Sequence, residues 1–224
     1  MSKNNFYSDD NLSLNLLSST KTSDHLNFGD TITPQLVSFD NALNLNSNSL
    51  AELEIISQQA IEQTYDYLNE FARDSDWETE IKDIFGTSYS VEAVNNIINN
   101  FSASDFSSLP PIKIVSGQNL QGSNGGYDDI NGLIYLSSDF IFGNEDNPNA
   151  IVKVILEEVG HHIDARINQK DTLGDEGAAF SSIVLGSGLQ NGLFDEDDFN
   201  IITIDGKEIL IEQSDSDLAG NNLS

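Results

Sequence analysis

A chain of 224 residues is long enough to bury one sizeable hydrophobic core, and one is expected. Its 37 Asp and Glu against nine Lys and Arg give a formal net charge of -28, which repels nucleic-acid phosphate and anionic lipid, so neither is expected as a partner. Cysteine is absent, which removes disulfides, thiolate metal sites and cysteine nucleophiles together.

The opening residues, MSKNNFYSDD, carry no apolar signal core, and no uncharged apolar run reaches the roughly 18 to 20 residues that cross a bilayer. An acidic, cysteine-free chain rich in Asn, Asp, Ser and Gly is expected of a protein exported without a cleavable N-terminal signal, with the cytoplasm as the alternative. Residues 1–48 show no sustained helical or alternating pattern and are expected to form a disordered polar arm. Within it, SLNLLSS and PQLVSF could dock on a surface, and a leader or pro-segment is the functional reading.

Order is expected from Ser49, where Leu53, Ile56, Ala60, Tyr67 and Phe71 recur at helical spacing behind a capping box of Ser49 and Glu52. Two shorter helices follow, one from Asp76 ending on Gly86 and one starting with Ser90 as N-cap, and Trp77, Ile81, Ile84 and Phe85 are assigned to the core. After Pro110 and Pro111 the texture becomes β-rich: IKIVSG and LIYLSSDFIF read as strands joined by the glycine-rich loop NLQGSNGGYDDING. Those glycines match no phosphate-binding pattern.

The stretch from Ile151 to Gly188 carries the chemistry. Pro148 suits the first turn of a helix capped by Asn147 or Asn149, and Ile151, Val154, Ile155, Val159, Ile163 and Ile167 give that helix an apolar face. Glu157, His161, Asp164 and Asn168 follow one another at four, three and four residues, so they form one stripe, with Glu158 and His162 a parallel pair beside it. A carboxylate on a buried helix costs several kcal/mol unless it is paired or bound to a cation. Three partnerships are open: surface pairing with His162, Arg166 or Lys170; calcium held by Asp164, Asn168, Asp171 and Asp175; or a catalytic transition-metal site. No GxSxG motif is present, and the remaining histidine, His25, lies in the arm.

For the third possibility the residues carry a resemblance. LEEVGH, from Leu156 to His161, resembles the HExxH helix of zincin metallopeptidases, with Glu157 where that motif has its first histidine. GDEGAAFSSIVLG, from Gly174 to Gly186, resembles the second helix of the gluzincin branch, and LIYLSSDFI precedes the helix in the zincin order. The block from about Phe71 to Gln213 also resembles a cyanobacterial module of large exported multidomain proteins with the signature LEEIGHxxDxxIN…DxxGDEGxxF, most closely across Leu156 to Phe180.

The resemblance implies Glu157, His161 and Glu176 as ligands of one divalent metal, zinc first, with calcium, manganese or iron as competitors because a carboxylate replaces a histidine. It implies Glu158 as the general base that takes a proton from water attacking a peptide carbonyl. Asp164, Asn168, Asp175 and His162 take supporting positions, and Tyr135 or Tyr127 is the candidate oxyanion partner. For Glu176 to return to His161 the helix must end early, near Arg166, since each further residue carries the chain about 1.5 Å away.

Asp195 to Asp198 reads as a solvated acidic turn, and IITIDGKEILIEQ as a β-hairpin turning on Asp205 and Gly206. The expected architecture is α+β: a zincin-like domain over 49–213 with N-terminal helices, a small sheet whose edge strand borders the cleft, a central metal-site helix and the C-terminal hairpin, followed by a polar tail over 214–224. The expected function is a metal-dependent endopeptidase acting on a peptide or protein, including its own arm; a non-catalytic, metal- or calcium-stabilised binding module is the alternative.

Overall fold

A computed structural model describes residues 37–41, 43–170, 174–189 and 199–213. The arm before them, His25, Asp171, the acidic turn at 195–198 and the tail from 214 lie outside the described residues. Those described hold six helices and six strands, an α+β fold, all within one compact unit. None of the helices is long and apolar enough to cross a membrane.

The helical layer begins with α1 (Ser47–Arg73), whose Leu53, Ile56, Ala60, Ile61, Leu68 and Phe71 are buried along one face. Its N-cap is Asn46, which accepts from the amides of Asn48 and Ser49, so the helix starts ahead of the capping box expected at Ser49. The helix α2 (Trp77–Phe85) stops at Gly86 with φ 73°, and α3 (Val91–Ser102) starts where Ser90 Oγ accepts from the Ala93 amide, both as expected.

Six strands form one sheet in the order β1-β2-β4-β3-β6-β5. The strands β1 (Val37–Phe39), β2 (Ile112–Val115) and β4 (Leu133–Ser137) run parallel; β3 (Gly125–Asp128), β6 (Lys207–Gln213) and β5 (Phe199–Ile204) add antiparallel neighbours. Alternation sends Ile112, Ile114, Ile134 and Leu136 into the main core with the helices, and Val115 and Tyr135 into a second cluster with Leu120, Ile202, Ile204 and Ile211. The second cluster is closed by one face of the β5–β6 hairpin. Asp205 (φ 53°) and Gly206 (φ 74°) make its turn, and Lys113 Nζ reaches Asp205 Oδ2 at 3.3 Å.

Four expectations are corrected. Val37–Phe39 pairs with β2, so part of the supposed polar arm is an edge strand of the sheet. The glycine-rich loop contains β3: a Cβ on Gly125 would stand 2.6 Å from Val154 Cγ1, and one on Gly126 2.5 Å from Ile211 Cδ1, so only glycine lets helix and hairpin close on this strand. The strand expected over LIYLSSDFIF ends at Ser137, whose Oγ accepts from Phe140 N to cap α4 (Ser138–Gly143). Finally, β4 lies between β2 and β3, so its backbone is fully engaged and it is no edge strand beside a cleft.

At the centre lies α5 (Pro148–Ile167), packed against α1, α3, α6 (Glu176–Val184) and β3. Fourteen of its twenty residues are buried, among them Glu157, Glu158, His161, His162 and Asp164, so it is enclosed around its whole girth. Its polar side chains therefore need partners inside the protein.

Candidate metal centre

A close approach of two helices builds this site. A Cβ on Gly160 would stand 2.7 Å from Gly177 Cα and 2.9 Å from Phe180 Cβ, and one on Gly177 would run into the His161 ring and stand 2.7 Å from the Glu157 carbonyl oxygen. Two glycines thus bring the backbones of α5 and α6 together and set the first turn of α6 against His161. Asp175 caps α6, its Oδ1 accepting from Ala178 N at 2.7 Å, and Glu176 opens the helix.

As the return of Glu176 requires, α5 ends at Ile167. Asn168 leaves the helical conformation at ψ 145°, and its Nδ2 donates to Asp164 Oδ1 at 2.6 Å and to Phe85 O at 3.4 Å. The Ile167 carbonyl accepts from Ser90 N, which ties the helix end to the start of α3.

His161 Nδ1 lies 3.2 Å from Glu176 Oε1 and 3.3 Å from Glu212 Oε2; Nε2 lies 3.9 Å from Asp175 Oδ1. His161, Glu176 and Glu212 each offer a ligand atom within 4.8 Å of the others, an arrangement that could hold a metal ion. The three come from α5, the N-terminus of α6 and β6. Glu212 reaches the group because β6 pairs with β3, with Tyr127 opposite Glu212. Sequence reasoning missed it: the hairpin was recognisable, but nothing in its pattern told which strand it would join.

Crowding of negative charge dominates the electrostatics. Burial, the largest influence on His161, disfavours its imidazolium, but the hydrogen bond to Glu176 and the charges of Glu212, Glu158 and Glu176 outweigh it and lift the pKa to about 10. Burial also raises the pKa of Glu176, and the charge of Asp164 adds to the rise, against the opposing pull of His161. A donor set of one imidazole and two carboxylates suits zinc and still more the harder manganese, iron or calcium.

Of the residues assigned from the resemblance, His161 and Glu176 are brought together, and Asp175 and Asp164 stand close by. Glu157 is buried on α5 but is not one of the three clustered residues. Glu158 is fully buried, its charge acts on His161, and its Oε1 would stand 2.7 Å from a Cβ at Gly125. Asn168 holds Asp164.

His162 points elsewhere: its Nδ1 takes the Tyr127 hydroxyl at 3.0 Å, and burial, followed by the nearby Arg166 charge, lowers its pKa to about 4. Tyr127, whose pKa burial raises to about 12, borders the cleft with its hydroxyl engaged by His162. Tyr135 is corrected outright as an oxyanion partner, since alternation along β4 places it in the second cluster, under the hairpin and on the other face of the sheet from α5. Of the calcium set Asp164, Asn168, Asp171 and Asp175, Asp171 lies outside the described residues, and the Asn168 amide is turned to Asp164 as a donor.

The centre opens onto a cleft of about 310 Å³ lined by His161, Asp164, Tyr127, Glu212, Phe199 and Leu210 among others. A buried donor cluster at the wall of an open cleft defines a candidate cation-dependent site. Comparison of the chain with protein-family models, with curated proteins and with solved structures found no match.

Proposed function

We propose that the protein is a metal-dependent hydrolase of the zincin type that cleaves peptide bonds. The observation that carries this reading is the convergence of His161, Glu176 and Glu212, from three separate elements, on a space bordering an open cleft. These three side chains would hold the cation, which would supply Lewis acidity and lower the pKa of water. Glu158, three residues before His161 on the same helix, is the proton acceptor. Asp175 fixes the start of α6, and thereby Glu176, through its cap bond to Ala178. Asp164, held by Asn168, sustains the negative field around Glu176.

A second reading, a non-catalytic cation-stabilised module, is favoured by one observation: Glu158 has no exposed surface, whereas a base must reach the water it deprotonates. Glu158→Gln separates the two. As an enzyme, the variant keeps its bound metal and melting temperature and loses peptide cleavage at least about a hundredfold. Retention of a metal by wild-type protein that cleaves no peptide in a mixed library would leave only the module.

A further inference from the structure

Cross-strand register divides the C-terminal hairpin into two apolar faces with different fates. Ile202, Ile204 and Ile211 close the second core cluster, with Ile209 packed against it. The other face carries Phe199 directly opposite Glu212 and Ile201 directly opposite Leu210, so an apolar strip starts at the cation cluster and runs away from it. Phe199, Ile201 and Leu210 are 49%, 55% and 47% exposed. Ile130, in the β3–β4 turn, is 80% exposed and also lines the cleft. Of seven large hydrophobic side chains exposed among the described residues, three line this one cleft. Such clustering beside a polar centre marks a binding surface rather than scatter.

The polar lining is one-sided. Asp129, Asp164 and Glu212 border the cleft, among the described residues no Lys or Arg does, the one cationic group there is His161 held by its own carboxylates, and Asp129 is exposed next to Ile130 in the same turn. A cation at His161, Glu176 and Glu212 would offset the charge of Glu212 but leave Asp129, in the field of a chain with net charge -28.

Resting on the hydrolase reading for the site but not for the test, we propose that the cleft binds a polypeptide segment presenting a large apolar side chain to Ile130, Phe199 and Leu210 and an adjacent Lys or Arg to Asp129. Acidic segments are rejected by the same charges, which selects a basic-apolar sequence and disfavours an acidic chain such as this protein itself.

The test is fluorescence anisotropy with full-length Glu158→Gln protein and labelled octapeptides of equal length carrying Phe-Lys, Ser-Lys or Phe-Glu at the centre. Phe-Lys binds at least about tenfold more tightly than either of the others. Phe199→Ser with Leu210→Ser removes the preference for Phe over Ser, and Asp129→Lys inverts the preference between Lys and Glu, with melting temperatures within about two degrees of the parent because all three side chains are exposed. Equal affinity for the three peptides, or tightest binding of a peptide copying residues 11–17 of the arm, overturns the proposal. Selective binding by a protein whose wild type cleaves nothing sinks the hydrolase reading and leaves this one standing.

Discussion

His161 sits where two opposing influences are both large. Burial drives its proton off, and the carboxylates of Glu176, Glu212 and Glu158 hold it on. Because all three donors are needed to surround a cation, His161→Ala and Glu212→Gln are each expected to weaken metal binding by about a hundredfold or more, measured by competition titration with a chromophoric chelator. Glu157→Gln, outside the cluster, is expected to leave affinity within about tenfold, which sets the arrangement seen here against the one the motif alone implied.

His162 supplies a prediction of pH dependence. Its folded pKa, about 4, lies below the ordinary histidine value of 6.5, so between those values the unfolded chain binds the extra proton and stability falls as the solution is acidified. The loss is on the order of 3 kcal/mol. The difference in stability between wild type and His162→Gln, followed by chemical denaturation from pH 7 to pH 4, should shrink over that window. A constant difference would show that His162 titrates normally.

At the scale of elements, the contact of α5 with α6 positions His161 against Glu176. Gly160 and Gly177 each lack room for a methyl group, the obstacles being backbone atoms, Phe180 and the His161 ring. Gly160→Ala should cost about 1–3 kcal/mol and lower metal affinity as well, because pushing the helices apart withdraws Glu176 from His161. Gly143→Ala, at a site with nothing within 4 Å and no positive φ, is the control and should leave both melting temperature and affinity unchanged or slightly improved. The glycine in LEEVGH was in plain view in the sequence, yet its partner could not be found there. Gly177 is separated from it by a helix end and a loop, and only the packed structure shows that they meet.

Across the whole molecule, the His161, Glu176 and Glu212 cluster joins the C-terminal hairpin to the helical layer. The hairpin pairs with β3 through two residue positions, Gly126 with Gln213 and Tyr127 with Glu212. A cation shared by Glu212, His161 and Glu176 would add a cross-link between distant parts of the chain. Saturating metal at a hundred times its dissociation constant is then expected to stabilise the fold by about 2.7 kcal/mol, read as a rise in melting temperature that chelation reverses. A chain stopped at residue 198 should lose both the metal and the shift.

Much of this was legible locally. Helical periodicity located α1, α2, α3 and α5, the early end of α5 followed from the place of Glu176, and Asp205-Gly206 announced the hairpin turn, because caps, turns and amphipathic faces are decided within a few residues of chain. His161 and Glu176 were named through the resemblance of LEEVGH and GDEG to the two zincin helices, and the packing of α5 against α6 brings them together. Three features were decided by tertiary structure alone: β3, a strand of sequence GGYD whose glycines suit the helix and hairpin packed on it; the interior place of β4; and the arrival of Glu212 at His161. The physical reason is common to all three. Each depends on which strands pair and how closely two backbones approach, and those are free-energy minima of the whole packed chain, set by contacts between residues far apart in sequence.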